Sequence, residues 1–243
     1  MASIGARERL IVALDYARVE DARALIERLG DAIVFYKIGL ELVMHGGLDF
    51  ARELSGQGKQ VFLDMKLLDI ENTVERATRS AAATGASFLT VHGHDRKTLR
   101  AAMAGKTGTP LRVLAVTVLT NLTDADLAEQ GLNDAPATLV ARRARLAHSA
   151  GCDGIVAAGA EAAAVRAVVG PGIAIVTPGI RLAGDAAGDQ ARITAPGAAI
   201  LAGADYLVVG RPITGAPDPR RAADGFVAEI EDGLARRALG PPS

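Results

Sequence analysis

The chain has 243 residues, 49% of them apolar and 23% charged, and its formal net charge of −1 balances 27 cationic against 28 acidic residues. This is the composition of an ordinary soluble globular protein. It excludes a general nucleic-acid binder and a polybasic membrane anchor. No apolar run approaches the eighteen or so residues of a membrane span, and the N-terminus lacks a long apolar segment with a cleavage site, so a cytoplasmic protein is expected.

In chain order, short β-branched runs alternate with Ala-rich helical stretches. "RLIVALDY" reads as a strand and "VEDARALIERLGD" as a helix. "AIVFYKIG" precedes "GLDFARELSGQG", and "QVFLDMK" precedes "ENTVERATRSAAATGA". "SFLTVHG" leads to "DRKTLRAAMAGK"; "LRVLAVTVL" leads through a polar linker to "ATLVARRARLAHSAG". "GIVAAG", "IAIVTPGI" and "YLVVG" open the last three units, and a glycine-rich loop follows the second of these. A weak repeat in "ATGASFLTV", "SAGCDGIVA" and "LAGADYLVV" places Gly85, Gly151 and Gly203 where a helix stops and a left-handed backbone is favoured. Eight strand–helix units in this length predict an α/β fold, a (β/α)8 TIM barrel forming a single domain over residues 1–243. The rival open sheet would favour a G-x-G-x-x-G turn after the first strand, and "ALDYARVED" has none.

Active sites of such barrels lie at the C-terminal ends of the strands. The polar residues that close the strand-like runs are Asp15, Lys37, Asp64 with Lys66, His92, Thr120, Pro178 to Arg181, and Gly210 with Arg211. Asp64 and Lys66 are two apart, so on a strand they share a face. Asp69 follows in the loop. Lys37, Asp64, Lys66 and Asp69 then form an alternating charged set, readable as a structural ion-pair network or as a proton-transfer site. Only five of the cations are Lys (Lys37, Lys59, Lys66, Lys97 and Lys106), the rest being Arg. A Lys can change its protonation state where an Arg cannot. Keeping Lys at 37 and 66 in an Arg-rich chain tilts the reading towards chemistry.

Loops after the seventh and eighth strands commonly bind phosphate in barrels. "TPGIR" and "VVGRPIT" close those strands, and Gly210 with Arg211 offers close backbone approach and a planar guanidinium. The loop of residues 182–196 is long enough for a lid, with Gln190 leaning inward. His92 and His94 lack a recognisable metal-ligand pattern and read as a structural and a helix-cap or solvent histidine. Asp15 reads equally as a sugar-hydroxyl acceptor or as a cap of the first helix. Cys152 stands alone and reads as a small buried residue.

"DMKLLDIENTV" resembles the D-x-K-x-x-D-I-x-x-T signature of orotidine 5′-phosphate decarboxylases. "IVALD", "FYKIGLEL", "VTVLTNL", "TPGIR" and "VVGRPIT" resemble other motifs of that family, so the likeness spans nearly the whole chain. Asn121 departs from it, where a Ser often follows the Thr. The resemblance implies decarboxylation of orotidine 5′-phosphate to uridine 5′-phosphate in pyrimidine biosynthesis, with no metal and no cofactor. It implies that Lys66 gives a proton to C6 of the pyrimidine, with Asp64 beside the substrate carboxylate and Lys37 and Asp69 completing the array. It implies a homodimer with shared sites, in which Asp69 and Thr73 act across the interface. Asp15 and Lys37 would contact the ribose and Thr120 the pyrimidine edge. Gln190, Arg211 and the Gly210 amide would hold the phosphate, with Arg181 nearby; Ile70 and Pro178 join the substrate-binding set. Two alternatives stand beside it. One is a magnesium-dependent sister barrel, a 3-keto-gulonate-phosphate decarboxylase or hexulose-phosphate synthase, in which a Glu ends the second strand. The other is a non-catalytic barrel that binds a phosphate ligand.

Overall fold

The apolar runs become strands because each can bury both of its faces, one inside a barrel and one beneath helices. A computed structural model describes residues 4–182 and 193–239. The strands are β1 (Leu10–Ala13), β2 (Phe35–Gly39), β3 (Gln60–Leu67), β4 (Phe88–His92), β5 (Arg112–Val116), β6 (Gly154–Val156), β7 (Ala174–Thr177) and β8 (Tyr206–Val209). They pair in chain order into a closed parallel barrel, β8 returning to β1. Helices between the strands cover its outside, as expected of a (β/α)8 TIM barrel.

Alternation along each strand sorts the side chains into two cores. The inner one contains Ile11, Phe35, Phe62, Phe88, Leu114, Val176, Tyr206 and Val208. Phe88 meets Phe35 and Tyr206 edge-on, each with ring centroids 5.0 Å apart, the arrangement that the ring quadrupoles favour. These rings plug the barrel below the mouth. Outward neighbours such as Val12, Tyr36, Ile38, Leu63 and Leu89 pack beneath the helices.

The repeat seen in the sequence has a structural purpose at the opposite end of the barrel. Gly85, Gly151 and Gly203 have φ of 80°, 83° and 105°, as their turns require. In two copies, the polar residue that follows is an Asp whose carboxylate reaches the neighbouring strand. Asp153 accepts from the Val113 amide at 2.8 Å and from Lys106 Nζ at 2.7 Å. Asp205 accepts from the Ile175 amide at 2.9 Å and from the Arg166 guanidinium.

Several short helical elements differ from the sequence reading, among them one before β1 and one after β5. A helical turn, Ala6–Arg9, precedes β1. The segment after β5, expected as a polar linker, contains the helix Asp124–Glu129. A capping box explains that helix: Thr123 Oγ1 accepts the Asp126 amide, and the Asp126 carboxylate accepts the Thr123 amide at 2.8 Å.

Candidate active site

The charged residues are brought together by strand register. Lys37 lies opposite Phe62, and Gly39 opposite Asp64. Phe35 and Lys37 therefore share the inner face with Phe62, Asp64 and Lys66, the aromatic rings below and the charges above. Asp15 follows β1, whose Ala13 is paired with Lys37. The result is a row of alternating sign. Asp15 Oδ1 lies 2.9 Å from Lys37 Nζ, which is 3.5 Å from Asp64 Oδ2. Asp64 Oδ1 is 2.9 Å from Lys66 Nζ. Within one chain the row is thus Asp15, Lys37, Asp64, Lys66; Asp69 is not a member of it. Asp15 makes this ion pair rather than capping the first helix, whose cap position is Arg18.

Gly39 makes room for the row. A Cβ there would stand 3.1 Å from both Asp15 Oδ1 and Lys37 Nζ, tighter than an ordinary contact. The sequence reading did not single out Gly39, because its reason is a side-chain pair on neighbouring strands.

Burial makes the row electrostatically stiff. Desolvation alone would push the Lys37 ammonium down, but Asp64 and Asp15 hold it above its ordinary value. Burial would push the Asp64 carboxyl up, but Lys37, Lys66 and a hydroxyl from Thr90 hold it below the usual carboxylate range. Both groups remain charged through the neutral region. Asp64 is a fixed anion wedged between two ammonium groups.

The same mouth carries the other expected residues. Asp15, Lys37, Asp64, Lys66, Thr120, Pro178, Arg181, Gly210 and Arg211 line one cavity of about 290 Å³. The charged row stands on the β2–β3 side, and Arg181 and Arg211 come from the ends of β7 and β8. Arg181 is buried and donates to the Ile180 carbonyl at 2.8 Å, while its own amide bonds to the Thr194 carbonyl at 3.1 Å. Arg211 opens the short helix Arg211–Thr214 directly after Gly210. Val116, Val118, Val156 and Val208 supply apolar walls between the two polar ends. A flat ring with an anionic tail suits such a cavity.

Asp69, Ile70 and Thr73 do not line this cavity. All three are exposed, Ile70 to 72%, at the loop and the start of the helix Glu71–Ala82 that follow β3. Gln190 and most of the 182–196 loop lie outside the described residues. His92 and His94 pack ring on ring, with centroids 4.6 Å apart. His94 is exposed, and the following helix is capped by Asp95 instead. Cys152 is buried, and burial pushes its thiol up to about 12, which leaves it unreactive.

Thr90 is a second site residue that the sequence reading missed. It is fully buried on the inner face of β4 and touches both Asp64 and the Lys66 backbone. Its one signal was a hydroxyl two positions before His92 in an otherwise apolar strand.

A sequence profile described as the orotidine 5′-phosphate decarboxylase / HUMPS family matches residues 8–226. An orotidine 5′-phosphate decarboxylase of Bradyrhizobium sp. (strain BTAi1) is 55% identical over 232 residues, covering 96% of this chain and 95% of that one. Another, of Methylorubrum extorquens, is 58% identical over 226 residues, with 93% and 97% covered. The crystal structure of the Lactobacillus acidophilus orotidine 5′-phosphate decarboxylase superposes with a TM-score of 0.82 at 33% identity, covering 92% of this chain and 99% of that one.

Proposed function

Since this chain belongs to the orotidine 5′-phosphate decarboxylase / HUMPS family, we propose that it decarboxylates orotidine 5′-phosphate to uridine 5′-phosphate and carbon dioxide, without a metal ion. One observation carries the choice within the family: the row Asp15–Lys37–Asp64–Lys66 facing Arg181 and Arg211 across one cavity. A divalent cation bridging Asp15 and Asp64 would have to displace the Lys37 ammonium that already joins them. That argues against the magnesium-dependent sister reaction. A barrel that only bound a phosphate ligand would need the two arginines but not the lysine row.

The reaction breaks the C6–carboxylate bond and leaves the electron pair on C6. The Lys66 ammonium stabilises that developing charge and then transfers a proton to C6; the resulting amine regains its proton from solvent. Asp64 keeps the Lys66 ammonium in place at 2.9 Å, so little reorganisation accompanies the step. Arg181, Arg211 and the Gly210 amide take the phosphate, with Gln190 assigned there by sequence resemblance alone. Asp15 and Lys37 take the ribose, and Thr120 and Pro178 contact the pyrimidine end. Phosphate binding remote from C6 supplies energy that holds the carboxylate beside Asp64.

The proposed unit is a cytoplasmic homodimer of single-domain barrels, with Asp69 and Thr73 reaching the partner's site and Ile70 beside them. Their exposure supports this, as do the exposed apolar side chains after the adjacent strands β2 and β3: Leu40, Met44, Leu68 and Ile70. Purified protein with chelator and orotidine 5′-phosphate, followed by ultraviolet absorbance, is the direct test. Turnover is expected; none, or turnover only after magnesium is added, would reject the reading.

A further inference from the structure

Thr90 closes a ring of hydrogen bonds around the proposed proton donor. Its Oγ1 accepts from the Lys66 amide at 3.0 Å and donates to Asp64 Oδ1 at 2.8 Å. The same Asp64 oxygen lies 2.9 Å from Lys66 Nζ. The direction of the hydroxyl proton follows from its partners. The Lys66 amide can only donate and the Asp64 carboxylate can only accept, so the proton must point at Asp64. One side chain thus holds both ends of Lys66, its backbone directly and its ammonium through Asp64.

The backbone has reason to need holding. Lys66 has φ of 47°, and it is the only non-glycine residue with positive φ among the described residues. The β3–β4 ladder shifts there: Leu63 pairs with Leu89, but Leu67 pairs with Val91. Four steps along β3 match two along β4, so the intervening segment bulges out of register. The bulge takes the Lys66 amide out of the regular ladder, and the Thr90 hydroxyl replaces the missing acceptor. A left-handed conformation at a non-glycine residue persists only where the surroundings enforce it.

We propose that Thr90 is a positioning residue for decarboxylation, fixing where the Lys66 ammonium stands relative to C6. This rests on the proposed reaction. Thr90 does not reach the substrate itself; it acts through Lys66 and Asp64. Lys66 must serve a carbon that becomes charged only in the transition state, so an error in its position falls on kcat more than on binding.

The test compares wild type with Thr90→Val, which keeps the shape and deletes the hydroxyl, and Thr90→Ser, which keeps the hydroxyl and deletes a methyl. Thr90→Val is expected to lower kcat by about ten- to a hundredfold, with KM and the Kd for uridine 5′-phosphate changed less than about threefold. Thr90→Ser is expected to retain kcat within about threefold. A residue that merely stabilised the fold would give neither this split nor the rescue. Hydrogen exchange of the Lys66 amide in ligand-free protein adds a readout independent of turnover: protected in wild type and Thr90→Ser, fast in Thr90→Val. If Thr90→Val does not fold, Thr90→Ala takes its place in every comparison. An unchanged kcat in the hydroxyl-free variant, a Ser variant as impaired as the Val one, or unchanged Lys66 amide exchange would overturn the proposal. If wild type itself fails to decarboxylate, the reaction is wrong, and the amide exchange still decides whether Thr90 holds Lys66.

Discussion

Two carboxylates share the Lys37 ammonium, and they should differ sharply in worth. By distance alone, Asp15 at 2.9 Å is the stronger partner and Asp64 at 3.5 Å the weaker. Solvent reverses that order. The Asp15 side chain is 61% exposed, whereas that of Asp64 is 14% exposed and that of Lys37 11%. With a water-like dielectric for the first pair and an effective value near 20 for the second, Coulomb energies are roughly 1.4 and 4.7 kcal/mol respectively. Replacement by Asn removes the charge and keeps one oxygen, so Thr90 can still donate to residue 64. Asp15→Asn should then cost about 0–1 kcal/mol of stability, as exposed pairs do. Asp64→Asn leaves Lys37 buried beside a neutral amide; Lys66, 31% exposed, can turn to water. The expected loss is about 3 kcal/mol, the lower end for breaking a buried pair. At this chain length that corresponds to a fall in Tm of roughly 6–12 °C. Urea unfolding of the two variants without nucleotide at neutral pH measures both. If Asp15→Asn costs as much as Asp64→Asn, distance rather than burial governs the row, and the reasoning fails.

The other predictions concern charge, phosphate and assembly. Asp64 has a folded pKa below its unfolded value, so its contribution is present above about pH 3.9 and is lost as pH falls through the depressed folded value. Lys37 has a raised one, so its contribution is present below about pH 10.4 and is lost as pH rises through the raised value. Lys37→Met removes one of the two ammonium groups that hold Asp64 down while leaving its burial, so the acid limb of a urea-midpoint profile should move to higher pH; an unmoved limb would contradict the coupling. Arg211→Ala should reduce kcat/KM by about ten- to a hundredfold, the worth of a charge-assisted hydrogen bond, and inorganic phosphate should inhibit it less than wild type. Lys66→Ala should lower kcat by at least about 10⁴-fold, since it removes both the acid and the charge. Mixing inactive Lys66→Ala and Asp69→Ala chains should restore part of the activity, through mixed dimers holding one intact site. Exchange of subunits without recovery would reject the role of Asp69 across the interface.

What could be read from the sequence followed periodicity. Eight apolar runs separated by helical stretches led to the barrel, and two-residue spacing put Asp64 and Lys66 on one face, where the structure has them. The mouth residues were legible because barrel strands all end on the same side. The less legible parts depend on register between strands. Lys37 meets Asp64 because Gly39 lies opposite Asp64, and Thr90 meets the Lys66 amide because the β3–β4 ladder slips. No local pattern in "FYKIG" or "SFLTVHG" encodes either contact. The helix Asp124–Glu129 was missed for another reason: its capping box, Thr123 with Asp126, sits in a stretch too polar to show a helical apolar stripe.

The same register explains why a strand that should be apolar carries charge. β3 is the longest strand, and its buried residues Val61, Phe62 and Leu63 give way to partly exposed ones from Asp64 onward. Its lower half belongs to the barrel core and its upper half to the mouth. The ladder with β4 slips at that boundary, and Lys66 takes its left-handed backbone there. A regular strand would keep Asp64 and Lys66 on one face but would fix both in the ladder. The bulge frees the Lys66 amide from the ladder, and the Thr90 hydroxyl claims it at 3.0 Å. Backbone strain, a broken ladder and a buried hydroxyl are each unfavourable or neutral in a barrel built only for stability. They occur together around one ammonium, and placing that ammonium is the one task that accounts for all three.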